Sequence, residues 1–434
     1  MNIEPDKVDA LIPPKNQQYM TSPIDRDRPS PAFIQDMRDR YPTEREIDWA
    51  FTRRMERRAS GPFRMQTLEE LVNHLKQMLT EKIKGGFDVT NAAWLGGGGS
   101  KLQMRFTLHS ELPILGHTLR VLVLRMEPAE SLNPSSRLRE FEIIQALAPV
   151  IPVPEVYWVD RDAEWFPEPA LIYSFSSGIA KPAAFSNKRV TGLGINFGPG
   201  LRRKLGQQFV ECLAKIHSFD HSQSSLSSFD RPQLGSTETA LWQLNRALRG
   251  WDEDRADAFP LMDVARNWLQ RNLPSLDHAS LIHGDYRSGN FLYDPTTEAI
   301  TSILDWERCT LGDRHRDLAW ATSEAIGHYD ESGKDLLVCG LLPLAEFLQE
   351  YERASGLSVD PVRLNFYTIL SRFQQVVTVL GTSYRVVRLQ KSHQDILLSR
   401  IESAAYVLME ELRQSLLTAI STSGSATAPG KPHV

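Results

Sequence analysis

The stretch 281–320, LIHGDYRSGNFLYDPTTEAITSILDWERCTLGDRHRDLAW, packs His283, Asp285, Asn290, Asp305, Asp313 and Asp317 into one short run. Leu281-Ile282 reads as a short apolar strand. Residues 290–293 and 300–306 read as two more, joined across the polar turn 294–298. Asp285 then lies on a loop after the first strand, Asn290 opens the second and Asp305 closes the third. A returning hairpin brings its two ends together, so Asn290 and Asp305 face one spot beside Asp285. Acidic residues in tight turns are common turn formers. Yet His-Gly-Asp with Asn five residues after the Asp arises by chance in on the order of one in several hundred chains of this length. The later Asp-Trp-Glu and Gly-Asp-x-x-x-Asp-Leu-Ala make chance a poorer account still.

Phosphoryl transfer from a nucleotide needs such an arrangement. One carboxylate accepts the proton of the attacking hydroxyl, and two oxygen ligands hold Mg²⁺ on the phosphates. The catalytic loop of protein kinases spaces an Asp and an Asn as Asp285 and Asn290 are spaced, with a metal-binding Asp further on, where Asp305 falls.

HGDYRSGN at 283–290, ILDWE at 303–307 and LGDRHRDLAW at 311–320 together resemble the aminoglycoside phosphotransferase and choline kinase family, over roughly residues 86–415. ALWQLNRALRGW at 240–251 and NWLQRNLPSL at 267–276 look closest to the branch fused to, or encoded beside, acyl-CoA dehydrogenases. The resemblance implies an α+β, bilobal protein-kinase-like fold with a small antiparallel-sheet N-lobe and a larger, mainly helical C-lobe. The expected divisions are an N-terminal extension of arm plus helix (1–62), a nucleotide-binding N-lobe (63–177), a catalytic and acceptor-binding C-lobe (178–420) and a disordered tail (421–434). It implies an ATP- and Mg²⁺-dependent kinase, with GTP not excluded, acting on the hydroxyl of a hydroxy acid or hydroxyacyl-CoA. The alternatives are an aminoglycoside phosphotransferase and a catalytically idle nucleotide-binding module.

Residue roles follow in chain order. The loop carrying Gly97, Gly98, Gly99 and Ser100 lets backbone N–H groups approach phosphates. Lys101 stands where the family tends to have Asn, to hold phosphate or to point into solvent. Arg125, in the strand candidate 120–126, takes the place of the phosphate-contacting Lys. Glu140, in the helix candidate 137–147, matches its acidic partner. Ser174, Phe175 and Ser176 form the hinge that meets the adenine edge. Asp285 orients and deprotonates the acceptor, and Asn290 and Asp305 coordinate Mg²⁺. His283 shapes the catalytic loop, while Asp313 and Asp317 brace it or cap the next helix. Arg287 contacts the γ-phosphate or an acidic acceptor.

The prolines between Pro13 and Pro42 point to an extended arm. Residues 43–59 read as a helix whose Arg53-Arg54 and Arg57-Arg58 pairs form a solvated face rather than an anion site. Thr67-x-x-Glu70 is a capping box for a helix over 67–84. His217 closes a helix over 201–219 and reads as a packed residue rather than a catalyst. The carboxylates of 252–257 read as a solvated turn. Later helices are expected near 317–328, 336–354, 361–389 and 394–419.

Composition sets the outer bounds. The 434 residues are 24% charged and 41% hydrophobic, with a formal charge of −5. That balance gives no electrostatic reason to expect nucleic acid or an anionic membrane as partner. Nucleotide and a small hydroxylated acceptor are the expected partners. Cys212, Cys309 and Cys339 lack C-x-x-C spacing, so neither a disulfide framework nor a zinc site is indicated, which suits a cytoplasmic location.

Overall fold

Ser30 caps a helix that Pro31 opens. In the computed structural model, which describes residues 26–62, 64–96, 101–128, 130–182, 194–392 and 395–425, helix α1 (Pro31–Arg40) occupies the described end of the expected extended arm, whose first 25 residues lie outside the described residues. Proline at the first helical position loses no hydrogen bond, and its fixed φ favours the helix. Helix α2 (Arg45–Glu56) buries Ile47, Phe51 and Met55, the stripe that the spacing of four predicts. Its arginines correct the expectation of a solvated face. Arg54 reaches Glu253 at 2.7 Å and Arg58 reaches Asp254 at 2.9 Å, all four buried. Arg53 lies 2.9 Å from Glu168, whose carboxylate also takes Arg57.

The N-lobe starts with helix α3 (Leu68–Lys82). Thr67 accepts from the Glu70 N–H at 3.1 Å, and Glu70 accepts from the Thr67 N–H at 2.8 Å, so the capping box is formed. Strands β1 (Phe87–Trp94), β2 (Leu102–Ile114) and β3 (His117–Met126) follow, then helix α4 (Arg137–Leu147) and strands β4 (Val156–Asp160) and β5 (Ala170–Ser174). They make one antiparallel sheet in the order β1-β2-β3-β5-β4. Along β3, Leu122 and Leu124 pack with Leu75 and Leu79 of α3. Val123 faces the other way, toward Ile143 and Leu147 of α4. The period of two therefore puts Arg125 on the face that looks to α4 and the catalytic elements.

The C-lobe begins with helices α5 (Gly198–His217), α6 (Glu238–Asp254) and α7 (Pro260–Arg271). Helix α6 runs through residues expected as a solvated turn, and Glu253 and Asp254 at its end are buried against arginines. Strands β6 (Ser280–Ile282) and β9 (Thr310–Gly312) pair antiparallel, as do β7 (Phe291–Asp294) and β8 (Ala299–Ile303). Helix α8 (His315–Ala321) stops earlier than expected. Residues 336–354 are not one helix: β10 (His328–Tyr329), β11 (Leu336–Val338) and β12 (Leu342–Pro343) form a small sheet ahead of helix α9 (Leu344–Ser355). Gly340 has φ +73°, and a Cβ there would run into the Ile195 carbonyl, which no helix interior would survive. Helix α10 (Pro361–Val376) continues through a π-helical segment (Val377–Ser383) into α11 (Tyr384–Arg388). Helices α12 (Asp395–Glu402) and α13 (Ala405–Ser425) end the described chain, α13 running into the stretch expected as a tail.

One core fills the interface between the sheet, α4, α5 and the catalytic strands. A separate core joins α6, α7, α10 and α13, and Phe33, Met37 and Met55 belong to it. The N-terminal helices are thus packed into the C-lobe. Among the described residues no helix is long and apolar enough to cross a membrane.

Candidate active site

Asp285 follows β6 on a loop held by three donors. Its carboxylate accepts from the Asn290 amide at 2.8 Å, the Trp320 indole at 2.7 Å and the Arg287 Nε at 3.1 Å. Asn290 also donates to the Asp285 carbonyl at 2.8 Å. Its own backbone carbonyl accepts from the Leu304 N–H at 2.8 Å, one residue before Asp305. The β7–β8 hairpin, pairing Phe291 with Ile303, therefore brings the metal-ligand candidates to the catalytic loop as the sequence pattern predicts.

His283 ties the same two segments together. Its Nε2 lies 3.0 Å from the Leu304 carbonyl, and its Nδ1 accepts from the Asp285 N–H at 3.2 Å. That pattern requires the neutral tautomer protonated on Nε2. Asp317 braces the loop from below, accepting from the N–H groups of His283 and Gly284, each at 2.7 Å. Its other partner is His217, whose Nε2 is 3.2 Å away and whose Nδ1 meets the Tyr351 hydroxyl at 2.9 Å. Burial opposes the Asp317 charge, but the His217 hydrogen bond and the neighbouring imidazoles hold its carboxyl below the usual range. Burial in turn pushes the His217 imidazole down, against the pull of Asp317. Asp313, two residues before the first residue of α8, accepts from the His315 N–H at 3.0 Å and lies 2.6 Å from the His315 Nδ1, while Arg314 stands at the N-cap. Gly284 has φ +82°, and a Cβ on it would meet the Arg308 backbone and, at 2.8 Å, the Arg308 Cβ.

Arg125 joins the lobes. Its Nε is 3.4 Å from Glu140, and its other end reaches Glu307 at 2.9 Å and bonds Asp305. Burial disfavours its charge, yet Glu140 and Asp305 keep the guanidinium firmly protonated. Asp305 itself adopts φ +70°, an uncommon conformation for a residue other than glycine. Among the described residues no three His, Cys, Asp or Glu side chains make a protein-only metal cage. Mg²⁺ seldom uses one: a carboxylate or two, with substrate phosphates and water, is the usual set. The Asp305 carboxylate and the Asn290 amide oxygen fit that donor set.

The hinge leaves β5 at Ser174, whose N–H donates to the Glu155 carbonyl at 2.8 Å. The Phe175 N–H donates to Val121 at 2.9 Å, and Ser176 bonds Ser302 on β8 at 3.1 Å, so this segment steps from one lobe to the other. Gly97, Gly98, Gly99 and Ser100 lie outside the described residues. Lys101 neither faces solvent nor stands alone. Its buried ammonium sits 2.7 Å from Glu127 and 3.4 Å from Glu307.

Sequence reasoning missed Trp320, Glu307 and this use of Lys101. Trp320 carried a signal: its place in the LGDRHRDLAW motif, one turn beyond Asp317, sets both on the helix that underlies the loop.

Comparison with known proteins gives the family. Residues 114–367, more than half the chain, match the model of the phosphotransferase enzyme family, and the chain belongs to that family. It is 27% identical over 290 residues to mouse acyl-CoA dehydrogenase family member 10, covering 63% of this chain and 25% of that protein. To human acyl-CoA dehydrogenase family member 11 it is 26% identical over 291 residues, covering 63% of this chain and 34% of that one. The chain thus spans a quarter to a third of the length of these relatives. Among solved structures, a provisionally assigned aminoglycoside phosphotransferase from Ralstonia eutropha superposes with a TM-score of 0.57 at 21% identity, covering 80% of this chain and 98% of that one. The fold is that of the protein-kinase-like phosphotransferases.

Proposed function

We propose that this chain is a Mg²⁺- and ATP-dependent kinase that phosphorylates the hydroxyl of a hydroxy acid or hydroxyacyl-CoA. What supports the reading is the Asp285–Asn290 pair at 2.8 Å, tied through the Asn290 carbonyl to Leu304 beside Asp305, whose carboxylate Arg125 bonds from the N-lobe. Asp285 orients the acceptor hydroxyl and takes its proton late, once bond formation has acidified it, so little base strength is needed. Trp320, Asn290 and Arg287 fix the carboxylate for that task. Asn290 and Asp305 would hold Mg²⁺, which when bound neutralises charge on the phosphates. Arg125, steadied by Glu140, positions the nucleotide phosphates, and the glycines with Ser100 would add backbone N–H donors to them. The hinge around Ser174, Phe175 and Ser176 offers backbone groups to the purine edge. For the acceptor class, the support is the likeness to proteins named acyl-CoA dehydrogenases. Phosphorylation would turn a poor leaving group on an acyl chain into a good one.

The test is nucleotide turnover with a panel of hydroxy acids, their CoA thioesters, sugars, amino alcohols and aminoglycosides. Asp285→Asn is expected to lower kcat by roughly 10²–10⁴-fold, the usual contribution of a positioned base, while Mg·ATP binding persists. Undiminished turnover in that variant refutes the assignment of Asp285. Transfer confined to aminoglycosides refutes the acceptor class.

A further inference from the structure

Helix α2 precedes both lobes in the sequence and touches each of them. It is rooted in the C-lobe: Arg54 meets Glu253, Arg58 in the following turn meets Asp254, and Asp48 meets Arg249 of α6 at 2.6 Å. Met55 lies in the core that α6, α7, α10 and α13 share. Just ahead of the helix, the Pro42 carbonyl accepts from the Asn245 amide of α6 at 2.8 Å.

The start of the same helix grips the first turn of α4. Glu44, at the N-cap of α2, accepts from Arg139 of α4 at 3.2 Å and from the Thr310 hydroxyl of β9 at 2.6 Å, so one buried carboxylate oxygen joins the two lobes. Burial opposes the Glu44 charge, but Arg139 and the Thr310 hydroxyl hold its carboxyl below the usual range. Glu46, also buried, accepts from the Ser136 hydroxyl at 2.7 Å. Ser136 is the N-cap of α4, and its oxygen accepts in turn from the Arg139 N–H at 3.3 Å. The other Glu46 oxygen holds Arg161, the residue after β4, at 2.7 Å, and that guanidinium lies over the Trp49 ring of α2 at 4.3 Å.

Glu140 follows Arg139 directly and is the residue that faces Arg125. In kinase-type phosphoryl transfer the cation that holds the phosphates is in place only when its acidic partner is, and that partner rides on a helix. Apolar packing holds a helix against a sheet without direction, whereas hydrogen bonds to its cap and first turn fix its rotation and height. A carboxylate beside a helix N-terminus also meets the positive end of the helix dipole. Taking as given the kinase reading above, we propose that Glu44 and Glu46 are positioning residues for the phosphate-binding cation. From a helix rooted in the C-lobe they set the first turn of α4 and so keep Glu140 on Arg125. They act through α4 and not by contact with the nucleotide. The segment ahead of the N-lobe thereby serves nucleotide binding as well as fastening. Glu142 ties α4 separately to the Ser228 N–H at 3.0 Å, so loss of Glu46 alone leaves the helix docked but less firmly aligned.

Calorimetry on the full chain tests this with two probes, ADP with Mg²⁺ and adenosine. ADP carries phosphates for Arg125 to hold, and adenosine carries none. Glu46→Ala is expected to weaken ADP binding about tenfold, the worth of one hydrogen bond to a charged group, with adenosine binding unchanged. Glu46→Gln still offers an oxygen to the Ser136 hydroxyl and is expected to keep most of the ADP affinity. Ser136→Ala breaks the same link from the α4 side; it is expected to reproduce the selective loss and serves where Glu46→Ala does not fold. Equal losses for ADP and adenosine, or a lower thermal midpoint with ADP affinity unchanged, overturn the proposal and leave the kinase reading standing. A wild-type protein that binds no ADP overturns the kinase reading itself, and the proposal with it.

Discussion

Two sets of buried arginines lie along α6 and beside the catalytic loop, and they differ in their partners. Where α2 meets the end of α6, Arg54, Arg58, Arg249 and Arg385 face Glu253, Asp254 and Glu130, and each of these arginines has a carboxylate within 3 Å. Beside the catalytic loop, Arg246 and Arg316 are also buried, each 7% exposed, with no carboxylate in salt-bridge range among the described residues. The same residue type is therefore put to two uses. Where the chain provides the counter-ions, the arginines fasten the N-terminal helices to the C-lobe. Where it withholds them, the arginines keep buried charge that no carboxylate in salt-bridge range offsets.

The strongest way to break this contrast is to remove a counter-ion from the paired set. Asp254→Ala leaves three guanidinium groups short of charge and is expected to destabilise the fold by about 3–5 kcal/mol, read from urea denaturation. Burial disfavours the Asp254 charge, but Arg385, Arg54 and Arg58 hold its carboxyl well below the ordinary range. A depressed folded value means that this stabilisation is complete above about pH 4 and is lost as pH falls through the folded value. The wild-type protein should show that acid-side loss, and Asp254→Asn should show less of it.

Trp320 stands between the unpaired arginines and the base, its ring under Arg308 and its N–H on Asp285. Trp320→Phe is expected to lower kcat by about 10- to 100-fold through loss of a hydrogen bond to a charged group. An unchanged kcat would mean that the base keeps its position without the indole. The smallest effect sharpens the contrast most. Arg316→Met should change stability by no more than about 1 kcal/mol, or raise it, because it removes a buried charge that the fold does not compensate. A loss as large as that of Asp254→Ala would place Arg316 with the fastening set.

The catalytic stretch was legible because its chemistry is local. Asp285, Asn290 and Asp305 lie within about twenty residues, so a hairpin and a loop decide their meeting and no long-range contact is needed. Arg125 and Glu140 were readable by order and strand period. The arginines of α2 were misread, since helical spacing shows which face a residue shares but not whether a carboxylate two hundred residues away will cover it. Glu253 and Asp254 were misread for the matching reason: a run of charges resembles a turn until its partners are known. Lys101 and Glu307 meet only because the two lobes close on each other. The leading prolines were weighed as breakers, although Ser30-Pro31 is a helix start.

Gly284 carries one more consequence. With no side chain, it lets the Arg308 backbone press directly against the turn that bears Asp285. Any side chain at this position would force the Arg308 segment away from the turn, and with it the footing of the general base.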